Sequence, residues 1–565
     1  MNFSNNTNPF KPFQMKKAAI LSNVLLVLSF SIFAQNNIPY LKKKGTATQL
    51  MVNDKPFLMM AGEVHNSSAS TVEYMKPLFP TLKSMNLNSV FVTTAWEQIE
   101  PKEGVYDFSL VDAIIDNAKN NNLKVCLLWF GSWKNGESSY APLWVKKDTK
   151  RFFRVKTKDG RAIETLSPFC EATKIADAKA FAAMMKHVKA YDKDQTVILI
   201  QPENEVGMFQ DIDYNLMALD LYQKNVPAAL MSYLIKNKAN LDDYVKSAWA
   251  KNNFKTEGTW TAVFGDTPES KAFFTTWQYA SYINFVAAAG RKEYNLPMMV
   301  NAWIVQKPED LPGVYPNGGP VSRVMDIWKA AAPAIDIQSP DIYLPNFKEI
   351  VAMYHRADNP LLIPESKAEV GRAYYAYGQH DAICFSPFGI EDASDDFLFK
   401  KGYTVLNEVQ HLIKKYQGTG KMQAVLKEGN EQGPELTFGD YKLKVNYEKP
   451  DEPCFGIIIQ TAEEEFTVIG MNLKIFFEST KKGEIGHIGQ VWEGRYENEQ
   501  WVPTRLMNGD ETWHNAVTRV FGRTFKSLVD LSDEEKKQGN PNAYSPETKK
   551  VITTPGVYKV MTYKR

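Results

Sequence analysis

The sequence predicts an α/β protein: a (β/α)8 TIM barrel followed by an all-β, sandwich-like C-terminal domain. Three observations carry this. Between about residues 57 and 417, eight short apolar runs alternate with amphipathic helical stretches. After about residue 418, short alternating segments take over, split by Gly, Pro, Asn and Asp. Two of the apolar runs, in Val197–Gly207 and Pro360–Lys367, end in acids, Glu205 and Glu365. Such runs read as strands buried on both faces, whose C-terminal ends open into the mouth of a parallel barrel. No glycine-rich phosphate turn follows any run, which removes the dinucleotide-binding reading of an open sheet.

Taken in order, Phe57–Gly62 reads as the first strand. Met75, Leu78, Phe79, Leu82 and Met85 then fall at helical spacing over residues 73–86. Ser89–Trp96 is β-branched and aromatic, a second strand. Ser109 with Asp112 resembles a capping box opening a helix over 110–121. Val125–Phe130 is the third strand, and a helix over 178–191 leads to the fourth, ending at Glu205. A helix-rich insertion follows over roughly 212–294. Pro297–Trp303, Ile335–Tyr343, the Glu365 run and Ala382–Phe388 complete the eight, with a closing helix over 397–416.

The chain has 565 residues, 44% of them hydrophobic and 12% aromatic, enough for a barrel and one more domain. A net charge of +1 gives no reason to expect nucleic acid or an anionic membrane as partner. Met15-Lys16-Lys17 and the apolar run to Ala34 read as an export signal, with Met15 a candidate true start. The division expected is a signal over 1–34, a catalytic barrel over 35–417 and a β domain over 418–565. The expected location is bacterial, periplasmic or secreted, with no membrane span once the signal is removed. Cys126 and Cys384 lie inside strands and read as buried thiols. The four cysteines and seven histidines show no metal-ligand spacing, so a metal site has weak support and none is expected.

Glu205 and Glu365, at the ends of the fourth and seventh strands, are the candidate catalytic pair. Cleavage of a glycosidic bond needs one carboxylic acid to protonate the leaving oxygen and one carboxylate to assist at the anomeric carbon. Glu203 competes with Glu205, because a two-residue offset on a strand keeps both on one face. Trp96, Trp129, Trp303, Tyr343 and Phe388 lie near strand ends, where flat rings suit the C–H face of a sugar or plain packing equally. Glu63, His65, Asn204 and Asn301 are candidate hydroxyl ligands. Glu100 either binds substrate or fixes its loop, and Asp336 reads as structural. Trp249, Trp260, Phe264 and Trp277 of the insertion either wall the pocket or pack the insertion.

The ordered set resembles the clan A glycoside hydrolases, most closely family 35, over roughly residues 50–415. Asn204-Glu205-Val206-Gly207 resembles that family's acid/base motif, and Glu365 after an apolar strand resembles its nucleophile. Trp96–Pro101 with Gly104–Phe108, and Gly62–His65, resemble its segments after the second and first strands. The chain departs from the pattern at Asn66, Ile99, Val206 and Ser366-Lys367, all around the expected sugar. The resemblance implies a retaining, exo-acting β-galactosidase of oligo- or polysaccharides, with Glu205 as acid/base, Glu365 as nucleophile and no cofactor. Other clan A specificities (β-glucosidase, β-xylosidase or endo-glucanase) and an inactive carbohydrate-binding barrel stay open, as does the oligomeric state.

Overall fold

Eight parallel strands close on themselves. They are β1 (Met59–Met60), β2 (Ser89–Ala95), β3 (Lys124–Lys134), β4 (Val197–Asn204), β5 (Met299–Trp303), β6 (Ile337–Ile342), β7 (Leu362–Ile363 and Glu365–Ser366) and β8 (Cys384–Phe385). Ladders join β2 to β3 and β3 to β4. Others join β5 to β6, β6 to β7, β7 to β8 and β8 to β1. Single bridges, Ile200 to Met298 and Glu63 to Phe91, complete the two remaining seams. The computed structural model describes residues 38–449, 451–508, 512, 517–520, 523–526 and 551–565. The export signal read over 1–34 lies outside the described residues.

The barrel interior is a packed core of Met59, Phe91, Cys126, Leu128, Ile198 and Leu362 with their neighbours. An N-terminal antiparallel meander, Tyr40–Lys44, Ala47–Val52 and Lys55–Phe57, adds Leu50 and Val52 to that core. All four cysteines are free and buried. Among the described residues, no helix is long and apolar enough to cross a membrane.

Several elements differ from expectation for local reasons. The helix expected over 73–86 is two pieces, Val72–Met75 and Leu78–Ser84, parted at Pro77, which has no N–H to donate. The next helix begins at Ser109 itself, whose amide donates to Asp107 Oδ1 at 2.9 Å. Strand β3 runs four residues past the expected Phe130, to Lys134, and a bulge interrupts its pairing with β4 there. Helix α1 (Glu171–Tyr191) packs against α2 (Pro268–Glu293), so α2 is a barrel helix and the insertion ends before it.

Two main antiparallel sheets and a two-stranded pair, Arg523–Lys526 with Val551–Thr554, make up the described C-terminal part. The larger has six strands, in the order Met422–Leu426, Phe455–Ala462, Glu465–Met471, Gly556–Lys564, Gly486–Glu497, Gln500–Leu506. The smaller has four, Glu435–Phe438, Tyr441–Tyr447, Leu473–Ser479 and Val517–Val520. Leu443, Val445, Ile458, Phe466, Val468 and Ile475 meet in one buried cluster. Their alternation along each strand is what a sandwich requires. The larger sheet rests on helix α3 (Val370–His380), which follows β7. Gly371 and Gly378, two turns apart, make that approach possible. A Cβ on Gly378 would lie 2.7 Å from Ala424 Cβ, and one on Gly371 would lie 2.9 Å from Phe455. Helix α4 (Phe397–Tyr416) closes the barrel, as expected.

Candidate active site

Strand β4 is buried along its whole length, then departs from regular pleating. Glu203 and Glu205 both take left-handed backbone conformations, with φ of 66° and 42°. Such positions cost about 1–3 kcal/mol for a non-glycine residue and persist where the surroundings hold them. The distortion separates two acids that ideal alternation would keep together. Glu203 accepts from the backbone amides of Ser132 (3.0 Å) and Trp133 (2.8 Å). It also shares a hydrogen bond with buried Asp177, and burial and then Asp177's charge push its carboxyl well above the usual range. Glu203 therefore ties β4 to β3. Glu205 enters the barrel mouth, with its amide donating to Asn301 Oδ1 at 2.9 Å.

Asn301 in the middle of β5 organises the floor. Its Nδ2 donates to Asn204 Oδ1 (3.0 Å) and Asp341 Oδ2 (2.8 Å) and lies 3.5 Å from Glu365 Oε1. Gln201 also donates to Asn204 Oδ1, at 2.9 Å. From β7, Glu365 accepts the Tyr343 hydroxyl at Oε2, 2.6 Å away. Glu205, Asp341 and Glu365 each place a carboxylate oxygen within 4.8 Å of the other two. These acids, with Lys134, Asn135, Trp303 and Tyr343, line a cavity of about 480 Å³.

The charges in this mouth are unequal. Burial pushes Glu205 up to about 8, the negative Glu365 adds to this, and Lys134 opposes it. Glu365 is also raised by burial, but Lys134 and the Tyr343 hydroxyl pull it back. Glu63 is raised well above the usual range by burial and then by Glu365. At neutral pH a carboxyl held at about 8 keeps its proton on Glu205, while Lys134 and the Tyr343 hydroxyl favour the ionised form of Glu365. That is the division a proton donor and a carboxylate nucleophile require. The clustered acids are spaced closely enough to cage a cation, but Lys134 already supplies the positive charge that faces Glu63, Glu205 and Glu365.

Residues 49–283 match the model of glycosyl hydrolases family 35. That stretch of the chain is therefore similar to family 35. Residues 399–518 match a domain of unknown function, DUF5597. A β-galactosidase of Xanthomonas manihotis is 27% identical over 178 residues, 30% of this chain and 27% of that protein. A probable β-galactosidase C of Talaromyces marneffei is 30% identical over 164 residues, 28% of this chain and 15% of that protein. The alignments thus span less than a third of either relative. Solved structures that resemble the chain include β-galactosidase from Bacillus circulans sp. alkalophilus, with 14% identity, 63% of this chain, 57% of that one and a TM-score of 0.44. Another is the catalytic domain of β-amylase from Paenibacillus polymyxa, with 13% identity, 58% and 91% coverage and a TM-score of 0.41.

In the barrel the expected site residues part into two groups. Glu205, Glu365, Asn204, Asn301, Trp303, Tyr343, Phe388 and Glu63 gather at the mouth. Trp96, Glu100 and Trp129 do not, and those expectations are corrected. The chain leaves β2 at Ala95, so Trp96 begins a helical turn and its indole N–H donates to Glu100 Oε2 at 2.8 Å. Glu100 also accepts the Gly104 amide at 2.6 Å, which fixes the loop. Trp129 points outward from β3 and donates to Asp177 at 2.9 Å. His65 sits beside the mouth, paired with Asp392 at 2.8 Å and edge-on to Phe388. Asp336 pairs with Arg291, the structural role expected of it. Trp249 packs against Phe254 within the insertion, Trp260 and Phe264 pack against Phe274 and Phe273 of α2, and Trp277 lies on α2; none lines the cavity.

Sequence reasoning passed over Lys134, Asn135, Asp341, Ile304 and Gln306, which line the cavity together with Asn66, the departure expected beside the sugar. Asp341 had a signal, being an acid near the C-terminal end of the sixth apolar run. Lys134 had none, since its place depends on the extension of β3 beyond its apolar run.

Proposed function

We propose that this chain is a retaining, exo-acting β-glycosidase that releases terminal β-galactosyl residues from oligo- or polysaccharides. Glu205 is the acid/base and Glu365 the nucleophile. The observation that carries the reading is the separation of Glu205 and Glu365, whose nearest oxygens lie within 4.8 Å. Retaining enzymes hold their carboxyl groups at about 5–5.5 Å and inverting ones at about 6.5–9.5 Å, to admit a water. Glu365 attacks the anomeric carbon while Glu205 delivers its proton to the departing oxygen, leaving a glycosyl ester on Glu365. Glu205, now ionised, takes a proton from water, which attacks the same carbon and frees Glu365. The Tyr343 hydroxyl holds Glu365 in place for both attacks.

Galactose as the released sugar is supported by the family 35 match and the named relatives. The test is a panel of aryl-β-glycosides, then product analysis on oligosaccharides with the anomer of the first product read by NMR. The expected result is fastest cleavage of the β-galactoside, β-anomer formed first, and monosaccharide from the earliest time point. Release of glucose or xylose would overturn the specificity, early mid-length fragments the exo action, first-formed α-anomer the mechanism, and no cleavage of any substrate the enzyme reading.

We further propose export, on the strength of Met15-Lys16-Lys17 and the apolar run that follows. Sequencing the N-terminus of protein from a producing bacterium should give Gln35. An uncut chain in the cytoplasm would overturn this.

A further inference from the structure

Strand β6 delivers an acid that the two-carboxylate mechanism does not use. Asp341 is 3% exposed. Its Oδ2 accepts from Asn301, but its buried Oδ1 meets no donor among the described residues. What surrounds it is mostly acidic. Glu205 and Glu365 lie within 4.8 Å, and Glu63 faces the same space from β1. Tyr343 and Tyr354 are the other titratable groups that feel Asp341, and Lys134 faces the three glutamates. One ammonium cannot balance four ionised carboxylates in a buried site. Two carboxylates also cannot hydrogen-bond unless one carries a proton.

We propose that Asp341 works as a neutral carboxylic acid, a positioning residue that accepts from Asn301 and donates its own proton to Glu205. The proposal rests on Glu205 and Glu365 being the catalytic pair. Burial and the charges of Glu365 and Glu205 raise Asp341 well above the usual range, in the direction the role needs. A donor there stabilises Glu205 as a carboxylate after it has released its proton to the leaving group. It also lets three acids stand together where three charges would repel. An ionised Asp341 would do the reverse, holding the proton on Glu205.

The test compares Asp341→Asn with Asp341→Ala in the full chain. Asparagine keeps the shape, the acceptor for Asn301 and a donor for Glu205. Asp341→Asn should keep kcat/KM within about threefold, with the alkaline limb of the pH profile unmoved. Asp341→Ala should lose about tenfold to a hundredfold, the worth of a hydrogen bond to a charged group. Its alkaline limb should move to higher pH, because Glu205 has lost a donor to its ionised form. A limb that moves to lower pH in either variant, or an Asn variant as poor as the Ala variant, would overturn the proposal. Infrared difference spectra at neutral pH provide a readout free of catalysis. Asp341→Asn should remove one protonated-carboxyl C=O band, and loss of an ionised-carboxylate band instead would refute a neutral Asp341. Should Glu205→Ala and Glu365→Ala keep normal activity, the catalytic reading fails, whereas the infrared result still decides the protonation of Asp341.

Discussion

Glu203 and Glu205 are separated by one residue, and two left-handed backbone positions send one into the scaffold and the other into the mouth. Removing each should therefore produce different symptoms. Glu205→Ala should slow substrates with poor leaving groups by about 10²–10⁴-fold, and good ones far less, because only the former need protonation. Glu203→Ala should show no such dependence. It would strip the partners from the amides of Ser132 and Trp133, at about 1–3 kcal/mol each, and appear as a lowered melting temperature. Leaving-group dependence in the Glu203 variant would reverse the assignment. The pH dependence follows from the same residues. With Glu205 as proton donor and Glu365 as nucleophile, as proposed, kcat/KM should fall as pH rises through about 8. In Tyr343→Phe, loss of the hydroxyl that lowers Glu365 should move the acid limb to higher pH. Stability obeys the matching sign. The folded chain keeps the Glu205 proton where the unfolded chain has lost it, so stability drains away as pH rises from the usual carboxylate range to about 8. Glu205→Gln should accordingly melt higher than the parent above pH 8, and an unchanged difference across pH would contradict the raised carboxyl.

At the scale of elements, the apolar runs made all eight barrel strands and the closing helix legible, since a strand buried on both faces has little choice but Ile, Leu and Val. The ends were less legible than the middles. Trp96 and Trp129 sit near strand ends in sequence, yet a helical turn after Ala95 and the outward face of β3 take both into packing layers. The bulge in β3 likewise placed Lys134 in the mouth without any periodic signal. Asp341 was visible as an acid near a strand end, but its value depends on the acids of three other strands, which no single run displays. The glycine pair of α3 is another feature that only packing explains. In Gly378→Val the new side chain would meet Ala424 and Ile457, which a bare Cβ already approaches to 2.7 and 2.9 Å. Such overpacking costs about 1–3 kcal/mol, measurable by chemical denaturation. An unchanged midpoint would mean that the sheet can back away from the helix freely.

At the scale of the whole molecule, strands from the N-terminal and C-terminal halves of the barrel must close before the mouth exists. Glu205 and Glu365 come from β4 and β7, and Asn301 and Asp341 from the two strands between them. The β-rich part packs directly on α3, the helix that follows the Glu365 strand. The chemistry therefore depends on a ring of contacts rather than on any local motif. The most direct test is to trap the glycosyl ester with the 2-deoxy-2-fluoro glycosyl fluoride of the sugar the enzyme releases. Intact mass spectrometry should show one fluorosugar added per chain, and peptide mapping should place it on Glu365. A label on Glu205, Glu63 or Asp341, or full turnover of this probe with no adduct at any time, would contradict the account.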